Sequence, residues 1–307
     1  MPDTTPTDAT AEADEPKSLI DKLGASLPIG LTALATVFAG MSTGALQQAM
    51  YWKSQAAQDQ AKATNQWTLA GFKRDRSLAM QTTAAQLRAT SGYVPATFSY
   101  DPNDKPEVLR GLEWLRGNGP PKAEPPKVED PAILELLEAI RTREPEHQIL
   151  EKAARVKLAA IDKAIDDAEK ANEQIDKDWD PSVKAAAKMV ADEAKMKPDD
   201  PKRAEKAANA TAAQAAGFEL EQRRYRTEAT LNQGIGFLYE ARVHVTSAES
   251  DRHRHKSQNF FLAMLASQIG ATISSLALAR KRKSTLWLVA GFVGLAAIGY
   301  GAYVYLT

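Results

Sequence analysis

The chain has no cysteine. That removes disulfides, a thiolate nucleophile and every cysteine-based metal or iron–sulfur site, and it fits either redox compartment. Histidine is scarce: His147, His244, His253 and His255 are the whole supply. Neither sign of charge is in surplus, because 39 basic and 39 acidic residues cancel. There is no basic footprint of the kind that grips nucleic acid, and no nucleic-acid partner is expected. One GxSxG string occurs, Gly40-Met41-Ser42-Thr43-Gly44, but it lies inside a charge-free run rather than on a strand-to-helix turn, where a nucleophile elbow sits. No phosphate-cradling glycine loop, HExxH pair or EF-hand loop occurs. The expectation is a protein that is not an enzyme, with no catalytic, cofactor-binding or metal site and no cofactor.

A further absence is local, and it sets the class. Ser257 to Ala279 carries no charged side chain, and neither does Ser284 to Thr307. A charge-free, largely apolar run of about 20 residues is what a helix needs to cross ~30 Å of hydrocarbon. Between the two runs stands only Arg280-Lys281-Arg282-Lys283. Such a short turn makes the runs antiparallel neighbours, and its cations bias that end toward the cytoplasm. A third charge-free run, Leu23 to Trp52, is diluted by Ser26, Thr32, Thr36, Ser42 and Thr43. The tail before it is acidic where a cleavable signal peptide wants positive charge, and the run is longer than a signal's ~7–15 apolar residues. It is expected to stay as a span, closed by Tyr51-Trp52-Lys53 at the headgroup layer. With three spans and a cytoplasmic turn, the N-terminal tail is cytoplasmic, and residues 54–256 lie on the other side.

Breaker residues divide the middle. From Ser91 to Pro131 prolines and glycines crowd too densely for a long helix, so the stretch reads as a linker or mobile loop; Pro106 to Arg116 could make a short amphipathic turn or two. Beyond it, Ile133, Leu137 and Ile140 share a helix face, and Pro145 interrupts the pattern. Then comes the clearest periodicity in the chain: Ala154, Leu158, Ile161, Ile165, Ala168, Asn172, Ile175 and Trp179. Steps of four and three alternate, which is a heptad seam, with Asn172 placed to fix register. Asp162, Asp166, Asp167 and Glu169 alternate with lysines beside it and read as a solvated face. Asp180-Pro181 is expected to end that helix and start another. From Pro201 to Ala279 no proline occurs, so one long helix could run into the second span, with Gly234 and Gly236 as its expected bend. Short connections favour pairing of the seam within the chain over pairing between chains.

The organisation that follows is an acidic, disordered tail at 1–22, a first transmembrane helix at 23–52 and an exit helix at 53–90. A Pro/Gly-rich linker fills 91–130 and a helical coiled-coil region 131–256. The hairpin closes the chain, with spans at 257–279 and 284–307 around a basic turn at 280–283. The fold class is all-α: three transmembrane helices with an elongated, partly coiled-coil helical region. The partners expected are the lipid bilayer and either a second copy or another protein, met through the coiled coil. Small residues one turn apart mark helix-packing faces in lipid: Gly40 and Gly44, then Ala266, Gly270 and Ser274, then Ala290, Gly294, Ala297 and Gly301. Two weaker chemical candidates are the basic collar from Asp251 to Lys256, with His253 and His255, and Tyr225 among Arg223, Arg224 and Arg226. On a helix, side chains two apart point to nearly opposite faces, so His253 and His255 do not share a metal easily. The collar reads as a contact with lipid headgroups.

One resemblance emerges from this order of parts. A span is followed by a helix bearing Asn65-Gln66-Trp67 and Phe72-Lys73-Arg74. A closing hairpin then carries Arg280-Lys281-Arg282-Lys283 and Trp287. The pattern resembles the bacterial membrane-protein family of unknown function called domain-of-unknown-function family 4337. The likeness covers roughly 23–90 and 220–307, with an expanded central region over 91–215; Thr68 to Lys73 departs from the family's run. It implies an uncharacterised multi-pass protein of the bacterial inner membrane and no activity. Two function classes follow: a membrane-anchored helical scaffold or protein-interaction module, or a channel or accessory subunit of a membrane complex.

Overall fold

The computed structural model describes residues 19–120, 128–195, 202–279 and 285–306. The acidic tail, apart from its last residues, and the Arg280–Lys283 turn lie outside the described residues. The chain is all-α, with no strand among the described residues. Its helices are α1 (Leu19–Thr90), α2 (Pro106–Leu115), α3 (Pro131–Thr142), α4 (Glu146–Ala153), α5 (Leu158–Glu193), α6 (Arg203–Ala279) and α7 (Leu286–Leu306). Stretches of α1, α6 and α7 are long and apolar enough to cross a membrane. The chain divides into two compact units, one of residues 1–51 and 250–307, the other of residues 52–249.

In the unit 52–249 proline starts helices more often than it stops them. Pro106 and Pro131 occupy the first turns of α2 and α3, where a missing N–H costs nothing. Asp130 caps α3 by accepting from the Ala132 N–H at 2.9 Å. Pro145 separates α3 from α4, as its pattern predicts. Pro181 does not: α5 runs straight through it to Glu193. An interior proline costs about 3 kcal/mol. Here Trp179 on one side and Val183 and Ala186 on the other are buried in the same core, against Trp114 and Leu115 of α2 and Leu220 of α6. Packing across the break outweighs the lost backbone bond. The stretch 91–120 is likewise more than a linker. Trp114 is 4% exposed, and the backbone at Gly111 lies so close to α5 that an added Cβ would stand 2.7 Å from the Ser182 carbonyl oxygen.

The larger core joins α3 and α4 (Ile133, Leu136, Ile149) to Ile161, Ile165 and Ala168 of α5 and to Ile235, Leu238 and Val245 of α6. The predicted seam is therefore filled inside the chain, by more than one helix. It begins at Leu158 rather than Ala154, because Ala154 caps α4 and is exposed. The helix α6 is continuous through Gly234 and Gly236. Gly236 makes room for the Trp67 indole of α1, which an added Cβ would meet at 3.3 Å.

The apolar unit packs through small residues, and not through the pair first expected. Gly40 and Gly44 face open space. The contacts come from the hairpin's repeats: Gly294 receives Leu31, Gly301 receives the Phe38 ring, and Ala290, Ala297, Ser267 and Ser274 are buried. Helix backbones in lipid gain by dispersion at close approach, so the residue that matters is the one with no side chain in the way. Phe38 also stacks on Phe260 with ring centroids 6.5 Å apart.

Candidate functional site

The polar groups that the fold gathers lie on α1, α5 and α6 within the unit 52–249. Asp59 is 1% exposed, on the face of α1 that carries Ala56 and Ala63. Its Oδ1 accepts from Arg242 Nη1 of α6 at 3.1 Å. Arg242 Nε lies 2.9 Å from Asp162 Oδ1 of α5, an ion pair by distance without hydrogen-bond alignment. One turn away, Tyr239 donates its hydroxyl to Glu169 at 2.8 Å, and Lys62 Nζ stands 5.4 Å from the centre of the Tyr239 ring. Asp162 and Glu169 thus make cross-helix contacts from the face read as solvated, and the Asp162 side chain remains 43% exposed. Burial pushes the Asp59 carboxyl above its ordinary value, while Arg242 and Lys62 pull it back. Burial and the bond to Glu169 push the Tyr239 phenol upward.

A second polar layer lies further along the same helices. Glu228 of α6, 4% exposed, accepts from Arg224 at 2.7 Å and pairs with Lys73 of α1 at 3.0 Å. Burial raises Glu221 of α6. In a third layer, Arg88 of α1 grips both oxygens of Glu219 at 2.9 Å, and Arg223 donates to the Trp114 carbonyl at 2.7 Å. Of the cations around Tyr225, Arg223 and Arg224 are therefore occupied, while Arg226 is exposed. Arg76 covers the Tyr225 ring at 5.2 Å.

These layers pair charge with charge across helices. A buried ion pair adds little net stability, yet sliding one helix by a turn would strand the buried carboxylates of Asp59 and Glu228. What the arrangement does chemically is hold register. Sequence reasoning missed it on α1. There Ala56, Ala63, Ala70, Ser77 and Ala84 recur every seven residues and are all buried, and Ser91 keeps the period just past the helix end. Small residues at that period are a seam without bulk, and a search for large apolar residues passes over them.

Of the histidines, His147 is exposed at the start of α4 and His244 is half-buried on α6. His253 is half-buried, whereas His255 is exposed. His253 lines a groove of about 590 Å³ in the apolar unit with Tyr51, Gln48, Lys256 and Phe260. Among the described residues no group of three or more His, Asp or Glu is disposed to hold a metal. An apolar groove of about 420 Å³ lies in the other unit, lined by Leu115, Val183, Val190 and Phe218. No family model, curated protein or solved structure matches this chain.

Proposed function

We propose that the chain is a membrane-anchored helical scaffold or protein-interaction module, set in a bacterial inner membrane by its three spans. The observation that carries this reading is the division of labour along the chain. Charged groups are absent from the described spans and concentrated in cross-helix layers of residues 52–249, where they pin helices rather than meet a substrate. Membership of family 4337 belongs to the same proposal; it supports the topology and supplies no mechanism. A protein partner would not use the heptad seam of α5, which its own chain fills. The groove at Val190 and Phe218 suits an apolar segment of a partner.

A photo-crosslinking residue in place of Phe218, activated in native membranes and read by mass spectrometry, tests the proposal. A partner adduct that Val190→Asp abolishes is the expected result. A second reading, channel or accessory subunit, is favoured by one observation, a hydroxyl-lined groove within the spans. Ion flux through the reconstituted protein in liposomes would establish that reading and displace the first. The orientation proposed from the basic turn is checked with Glu205→Cys, an exposed position, and an impermeant thiol reagent on intact cells. Labelling without permeabilisation is expected.

A further inference from the structure

The middle of a bilayer is a poor place for an unpaired amide. Gln268 stands midway along Ser257 to Ala279, roughly 16 Å from either end at the helical rise. Its side chain is exposed, and it has no hydrogen-bond partner among the described residues. Its backbone carbonyl accepts from the Thr272 hydroxyl at 2.9 Å. Gln268 lies in a groove of about 560 Å³ whose walls are α1 and α6, with Thr32, Thr36, Thr272 and Ser275 beside it. Those hydroxyls donate to their own helices: Thr32 to Pro28 at 2.8 Å, Thr36 to Thr32 at 3.1 Å and Ser275 to Ala271 at 2.9 Å. Their protons are spent, and their oxygens still accept.

Acyl chains offer an amide nothing, and headgroups begin ~15 Å from the midplane. The groove therefore calls for an occupant that brings polar atoms to that depth, which in a bilayer means another helix. We infer that the occupant is a second copy of this chain, with Gln268 of each copy donating its amide N–H to the other's carbonyl. An amide carries donor and acceptor together, so a two-fold axis through the pair satisfies both at once. The hydroxyl oxygens on either side accept the remaining protons, and Ala35 and Ala271 keep the groove shallow enough for close approach. The inference rests on the span at 257–279 crossing the bilayer and not on the scaffold reading, which could fail without it.

Because the chain has no cysteine, any cysteine introduced is unique. Full-length Thr272→Cys and Phe292→Cys proteins, reconstituted in phosphatidylcholine vesicles and oxidised, compare the groove with a lipid-facing position of α7 that is 75% exposed. Disulfide dimers at 272 and none at 292 are expected. Energy transfer between labelled full-length chains should then show Gln268→Leu weakening self-association by about threefold to thirtyfold, with Gln268→Asn retaining most of it. Equal cross-linking at both positions, a monomer at every protein-to-lipid ratio, or a Gln268→Leu protein that associates like the parent would overturn the inference. The Gln268 side chain makes no hydrogen bond within its own chain, so Gln268→Leu should leave the helical melt unchanged. If it does not, the cross-linking pair decides alone, since both proteins keep Gln268.

Discussion

The unit formed by residues 1–51 and 250–307 and the unit formed by residues 52–249 use the same kind of helix and hold it in different ways. In the first, the described contacts are glycine and alanine against Leu31 and Phe38, with serine pairs at the edge: Ser42 and Ser257 each donate to the other's carbonyl, at 2.9 and 2.8 Å. In the second, buried isoleucines supply the driving force, and charged layers around Arg242, Glu228 and Glu219 fix register. The difference follows from the solvent. Water expels isoleucine and hydrates stranded charges, so bulk and ion pairs discriminate between right and wrong packing. Hydrocarbon does neither, so packing there depends on close approach and a few hydrogen bonds.

The sharpest way to break the comparison is on the water-facing side. Ile161 and Ile165 are 0% and 3% exposed, and replacing both with Asp should cost about 3–5 kcal/mol or more for each. Circular dichroism melts of the full chain in mild detergent should show residues 52–249 unfolding while the apolar helices persist. Asp166→Lys, on the exposed face of α5, should change the melt by less than about 0.5 kcal/mol. Asp162→Lys should not be so mild, because it sets a cation against Arg242.

Arg242→Met comes next, at about 3–5 kcal/mol near neutral pH, because it leaves Asp59 buried without its counter-charge. This loss should depend on pH in a definite direction. The Asp59 carboxyl is already held above its ordinary value, and the variant raises it further. A raised acid binds its proton more tightly folded than unfolded. The unit then gains stability as pH falls toward the unfolded value and loses it as pH rises through the folded one. Chemical denaturation at pH 5 and pH 7.5 should show the smaller penalty at pH 5.

In the apolar unit, Gly301→Leu should cost about 1–3 kcal/mol by overpacking against Phe38, while Gly40→Leu with Gly44→Leu should be neutral because both positions face open space. Thermal stability in detergent separates them. If the Gly40 and Gly44 pair proved the sensitive one, the packing described for this unit would be wrong.

The smallest effect concerns His244. Burial holds it below its ordinary value of 6.5, with Glu146 pulling it back. Its contribution is complete above pH 6.5 and is lost as pH falls through the folded value. His244→Gln should flatten the acid side of the stability profile, read as melting temperature between pH 7.5 and 5.5.

Much of this was legible in the chain itself, and particular residues show why. Three charge-free runs sufficed for the spans, because hydrocarbon penalises every charge and the penalty is local to the run. Steps of four and three sufficed for the buried face of α5 from Leu158 to Trp179. The candidate site was not legible. Asp59, Asp162 and Arg242 are far apart in the sequence, and nothing near any of them announces a partner. Asp162 in particular has the spacing of a surface carboxylate. The alanine seam of α1 was present in the sequence but gave no hydrophobic signal.

The sequence by itself determined that the chain is helical, where it can cross a membrane and which face of α5 is buried. Each of these depends on a local balance between side chain and solvent. Tertiary structure alone decided that Pro181 sits within a helix, that Gly294 and Gly301 rather than Gly40 and Gly44 meet a neighbour, and that Arg242 joins two aspartates. Those outcomes depend on what packs against the residue from a distant part of the chain, and a proline, a glycine or an arginine carries no mark of that in its own neighbourhood.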